Sequence, residues 1–92
     1  MTLLRWLLLP VLMSAIWTSG GAPEGRRGNT LYERGAFRDA AAAYREGIAQ
    51  TDPRDSTQQA ALHHNWGAAL YQQERYTQAD SLFSVAQDYA HT

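Results

Sequence analysis

The side chains that could do chemistry in this chain are few, and their spacing does not assemble a catalytic site. His63 and His64 form its one histidine pair. On a helix, adjacent residues point about 100° apart, so these two cannot chelate a metal as histidines four residues apart would. Cysteine is absent, which removes thiol nucleophiles, disulfides and thiolate metal sites together. The chain contains no Gly-x-Ser-x-Gly, no His-Glu-x-x-His and no phosphate-cradling glycine loop. Its carboxylates are scattered as on solvated helix faces. No catalytic residue, cofactor or metal ligand is assigned, and an enzyme is not expected.

Charge narrows the partners further. All eight basic residues are arginine, as a GC-rich genome would favour. Without Arg5, seven arginines face nine acidic residues, a formal charge of −2 with no basic stripe. A nucleic-acid-binding surface is therefore not expected.

The first part of the chain has the layout of a secretory signal. A short positive start, Met1 to Arg5, precedes the uncharged apolar run Trp6 to Trp17 and the small residues Thr18 to Ala22. The run is too short for the roughly 30 Å hydrocarbon core, which an ordinary helix crosses with about 20 residues. Residues 1–21 are expected to be a signal peptide cut near Gly21, because a cut after Ala22 would leave Pro23 on the product side. The alternative is an uncleaved anchor over residues 3–17, with Arg5 reaching the interface. The absence of cysteine rules out a lipoprotein anchor. Export to the periplasm or cell envelope is expected, with membrane contact only through this segment.

The remainder repeats itself. A shift of 39 residues places Gly28 on Gly67, Leu31 on Leu70, Tyr32 on Tyr71, Phe37 on Tyr76, Ala40 on Ala79, Tyr44 on Phe83 and Gly47 on Ala86. Each unit reads as two helices joined by a tight turn, the first over about residues 22–54 and the second over about 60–92. In the first, Gly35 is suited to the left-handed residue that ends a helix, and Phe37, Ala40, Ala41, Tyr44 and Ile48 form an apolar stripe. Asp52 to Asp55 is turn chemistry, and Ser56 with Gln59 has the spacing of a capping box. A third helix is predicted from about Thr57 to Gln73, burying Leu62, Trp66, Ala69 and Leu70. A fourth, from about Thr77, is predicted to bury Ala79, Leu82, Phe83, Ala86 and Tyr89, with Thr77 and Asp80 as its capping pair. No segment alternates as strands do, so the fold class is all-α.

This pattern resembles the tetratricopeptide repeat. The first unit carries Gly28, Leu31-Tyr32, Ala40-x-x-x-Tyr44 and Pro53, and the second carries Trp66-Gly67, Leu70-Tyr71 and Ala79-x-x-x-Phe83. The resemblance covers about residues 22 to 91 and implies two helical hairpins, a piece of an α-solenoid. The sequence departs from it at the early tryptophan positions, held by Glu24 and His63, at Glu74 where glycine often ends the helix, and in its period of 39. No third unit follows, although such hairpins usually need about three for independent stability. A fragment of a longer protein, or a chain completed by self-association, is expected. The layout is also similar to small exported repeat proteins of the bacterial aerotolerance type.

The resemblance implies a protein or peptide partner held in a groove lined by the first helix of each hairpin. The matching positions are Arg26, Asn29, Tyr32 and Glu33 in the first unit and His64, Asn65, Ala68, Tyr71 and Gln72 in the second. Asn29 and Asn65 match two asparagines that hold a peptide carboxylate in the chaperone-binding branch, while Gly25 stands where that clamp has a lysine. A side-chain amide both donates and accepts, which suits an extended peptide. The alternative is that the asparagines join neighbouring hairpins, and that Tyr32 and Tyr71 pack between helices. A self-assembling unit exposing Leu82, Phe83 and Tyr89 to a second copy is the competing reading, alongside an N-terminal piece of a longer envelope protein.

Overall fold

The computed structural model describes residues 23–92, and the signal segment expected over residues 1–21 lies outside them. The described chain is all-helical: α1 (Pro23–Glu33), α2 (Phe37–Gln50), α3 (Ser56–Gln72) and α4 (Tyr76–Ala90). Successive helices pair as two hairpins, α1–α2 and α3–α4, and α2 packs on α3 to join them. Each helix packs chiefly on its neighbours in sequence, with α1 and α3 touching along a short stretch. Among the described residues no helix is long and apolar enough to cross a membrane.

Local chemistry sets the helix starts. Pro23 opens α1, where its missing N–H is not needed and its fixed φ suits the helix, and Glu24 complements the positive end of the dipole. Asp55, not Ser56, caps α3: its carboxylate accepts from the Gln58 backbone N–H at 3.1 Å. Ser56 is already helical, and Gln59 turns away from the box to donate to the carbonyls of Thr51 and Asp52 at 3.3 and 3.4 Å. A carboxylate one residue upstream thus displaced the expected hydroxyl cap. The predicted Thr77–Asp80 cap is likewise corrected. The α4 helix begins at Tyr76 after Arg75, and no side chain caps it.

Both hairpin turns are built alike. Gly35 N–H bonds to Tyr32 O and Ala36 N–H to Leu31 O, each at 2.9 Å. Thirty-nine residues on, Glu74 N–H bonds to Tyr71 O at 2.9 Å and Arg75 N–H to Leu70 O at 3.0 Å. This paired pattern requires a left-handed residue after the helix, and both turns have one, Gly35 at φ 79° and Glu74 at φ 64°. Between the hairpins, Asp52 accepts from the Arg54 side chain and backbone N–H, which holds its carboxyl below the usual carboxylate range.

The core is made of small residues and a few large ones. Ala40, Ala41, Ala43, Ala69, Ala79 and Ala86 are buried with Tyr44, Leu62 and Leu70. In each hairpin an aromatic ring lies on a glycine. A Cβ added at Gly28 would fall 2.6 Å from the Tyr44 ring, and one at Gly67 would fall 2.8 Å from the Phe83 ring. The 39-residue register is therefore a physical contact repeated. At the joint between hairpins, Leu62 sits over Gly25 and Gly47, with Trp66 and Ile48 packed against the same cluster. Trp66, Leu82, Phe83 and Tyr89, predicted as buried, are only partly so.

Candidate partner-binding groove

The first helices of the two hairpins meet at an asparagine pair. The Tyr44 hydroxyl, projecting from α2, donates to Asn29 Oδ1 at 2.6 Å, and Asn65 Nδ2 donates to the same oxygen at 3.4 Å. One acceptor thus ties α1, α2 and α3 together. Among the described residues, Asn29 Nδ2 and Asn65 Oδ1 have no hydrogen-bond partner. A side-chain donor and a side-chain acceptor therefore remain free on adjoining helices, the complement of one peptide unit's C=O and N–H.

These groups line a shallow cavity of ≈ 270 Å³ with Tyr32, Glu33, Tyr44 and Ala68. Five of the nine residues predicted from sequence (Asn29, Tyr32, Glu33, Asn65 and Ala68) come together there. Gln72 adjoins them, because its Nε2 donates to the Tyr32 hydroxyl at 3.3 Å. Tyr32 is also held edge-on against Phe37, with ring centroids 5.1 Å apart, so it serves packing and groove at once.

Three predicted residues lie elsewhere. Arg26 is exposed on α1 and does not line the cavity. His64 lies tilted against Phe83, ring centroids 5.2 Å apart, and Tyr71 meets Tyr76 edge-on at 4.8 Å. The wheel explains both. At about 100° per residue, positions seven apart fall within about 20° of each other, so 64 and 71 share one strip against α4, about 100° from the strip of 65 and 72.

Sequence reasoning missed the contribution of Tyr44 to the groove, treating it as a stripe residue alone. A usable signal existed: its repeat partner is Phe83, so the hydroxyl is the only difference between the two. Burial, with smaller contributions from Tyr32 and Glu33, raises the Tyr44 phenol well above the ordinary tyrosine range. It stays protonated at neutral pH and keeps donating, which fixes the orientation of the Asn29 amide.

His63 is buried, with Nδ1 2.7 Å from Gln59 O and its ring against Tyr89. Among the described residues, no group of three or more histidine, aspartate or glutamate side chains is placed to hold a metal. Comparison of the chain with known protein families, characterised proteins and solved structures gives no match.

Proposed function

We propose that this chain is an exported interaction scaffold of the tetratricopeptide type, working in the periplasm or cell envelope and holding an extended peptide or a helix between α1 and α3. The observation that carries this reading is the Asn29–Asn65 pair, which leaves one amide donor and one amide acceptor free beside Tyr32, Glu33 and Ala68. A backbone-directed pair of this kind matches the C=O and N–H of an extended peptide. Export rests on the leader composition of residues 1–21.

The test is selection of peptides from a displayed library against the full chain, followed by NMR of the two asparagine side-chain amides. Selected peptides should shift both amide signals and lose binding to the Asn29→Ala/Asn65→Ala variant. Retained binding by a variant that is still helical would overturn the reading. Intact mass of the exported chain tests the leader separately, through loss of residues 1–21.

A second reading, assembly with another helix, is favoured by the outer face of the second hairpin. There α3 and α4 enclose an apolar groove of ≈ 760 Å³ that includes Ala60, Phe83, Ala86 and Ala90. Thirty-nine residues earlier stand Tyr44, Gly47 and Thr51, the surface on which α3 seats Leu62 and Gln59. The second hairpin thus offers the seat that the first has already filled. Of the residues named for self-contact, only Phe83 lines it, while Tyr89 packs on His63. Sedimentation decides: a monomer at every concentration removes self-assembly.

A further inference from the structure

Three of the arginines line a single cavity away from the asparagine groove. The second helices, α2 and α4, flank a cavity of ≈ 580 Å³ whose rim carries Arg38, Arg45 and Arg75 and whose floor includes Trp66, Leu70 and Leu82. It shares no lining residue with the asparagine cavity. No carboxylate lines it. Among the described residues, none of the three arginines forms an ion pair. Arg45 instead rests over the Trp66 ring, 5.7 Å from its centroid.

This arrangement is unusual for a chain whose residues after Arg5 carry a net negative charge. Nine carboxylates are available; Asp39 lies beside Arg38 and Arg75 in an adjoining cavity without pairing with either, and none lines this one. Arg38 and Arg45 are seven residues apart on α2, two turns or about 10.5 Å along one face, and Arg75 faces them from the start of α4. The positive charge is thus spread around an apolar floor rather than focused at a point. A single phosphate or fatty-acid carboxylate would not span Arg38 and Arg45 and would leave at least one guanidinium unmatched. Several carboxylates along a chain, with an apolar side chain between them, match both the spread and the floor. Guanidinium groups take carboxylates in a bidentate fork, and Arg45 can do so while remaining stacked on Trp66.

We infer that this α2–α4 cavity is a second docking site, for a short acidic peptide segment that places one apolar side chain against Trp66, Leu70 and Leu82. A partner could then be held on both sides of the scaffold, or two partners at once.

The test uses the full chain with Trp6→Phe and Trp17→Phe, so that Trp66 is the sole tryptophan. It is titrated with the capped peptide Asp-Glu-Leu-Phe-Glu-Asp, and emission from Trp66 is followed. Saturable binding is expected, weakened roughly tenfold by Arg38→Gln/Arg75→Gln, since each exposed pair contributes modestly. The variant Arg34→Gln/Arg54→Gln, with the same change in net charge outside the cavity, should bind as the parent does. The peptide with lysine in place of its acids should not bind the parent, but should bind Arg38→Glu/Arg75→Glu. That gain keeps the test decisive if the glutamine variant is poorly folded. Absence of saturable binding, or equal weakening by both glutamine variants, overturns the inference. So does an arginine-dependent response to phosphatidylglycerol vesicles with none to the peptide, which would mark a membrane surface instead.

Discussion

Replacing Glu74 by glycine should stabilise this protein. Glu74 ends α3 in the left-handed conformation, φ 64°, at the position Gly35 holds after α1. A side chain there brings Cβ against the following carbonyl, at a cost of roughly 1–2 kcal/mol. Glycine relieves this but loses more freedom on folding, which returns roughly 0.5–1 kcal/mol of the gain. The net is a stabilisation of roughly 0.5–1 kcal/mol, or a rise of about 2–8 °C in Tm for a domain this small. Glu74 is exposed, and its carboxylate makes no ion pair among the described residues, so little is lost with it. Thermal unfolding followed by far-ultraviolet circular dichroism measures the change. Glu74→Ala isolates its cause, because alanine keeps Cβ and should gain nothing. Gly35→Ala is the reverse experiment. No atom lies within 4 Å of the added Cβ, so its loss, roughly 1 kcal/mol, is conformational alone. A rise in Tm for Glu74→Ala equal to that for Glu74→Gly would refute the reasoning, since the carboxylate and not the backbone would then be responsible.

Two further outcomes follow from the Gly28–Tyr44–Asn29 contact. Gly28→Ala places a Cβ 2.6 Å from the Tyr44 ring, so the ring must swing and carry its hydroxyl off Asn29. The urea midpoint should fall by the equivalent of about 1–3 kcal/mol despite alanine's better helix propensity, and an unchanged midpoint would show that the ring yields freely. Tyr44→Phe should cost about 1 kcal/mol and flatten the response to alkali. The folded phenol is raised above its unfolded value of about 10, so its contribution is complete below about pH 10 and is lost as pH rises further. Urea midpoints from about pH 8 to about pH 11 should decline more steeply in the parent than in Tyr44→Phe.

The helices and their register were legible because periodicity and residue size carry that information. Gly28 under Tyr44 and Gly67 under Phe83 leave matching marks 39 residues apart, and both are contacts in the fold. The caps were less legible. Asp52, Asp55 and Ser56 all have cap chemistry within five residues, and only backbone geometry decides that Asp55 faces the first free amides. Glu74 concealed the second turn, since hydrogen bonds across Leu70 to Arg75 impose a left-handed residue whatever the side chain. In the groove, Asn29 and Asn65 were named through the resemblance, and the structure joins them by a hydrogen bond. His64 and Tyr71 lie against α4 instead, because a resemblance fixes only a broad face, whereas the position of α4 decides which edge of that face is covered.

The sequential packing of the four helices bears on how the molecule assembles and opens. Contacts are mostly local in sequence, so the chain should fold quickly, and each hairpin can form before the two dock. The hydrogen bond between Asn29 and Asn65 spans 36 residues and belongs to neither hairpin alone. It exists only while α2 and α3 are closed on each other. Separation at that single joint would erase the groove while leaving all four helices intact. A ligand bridging the two asparagines would act as a clasp, and its presence should be readable as slowed amide exchange along α2 and α3 rather than as any change in helix content.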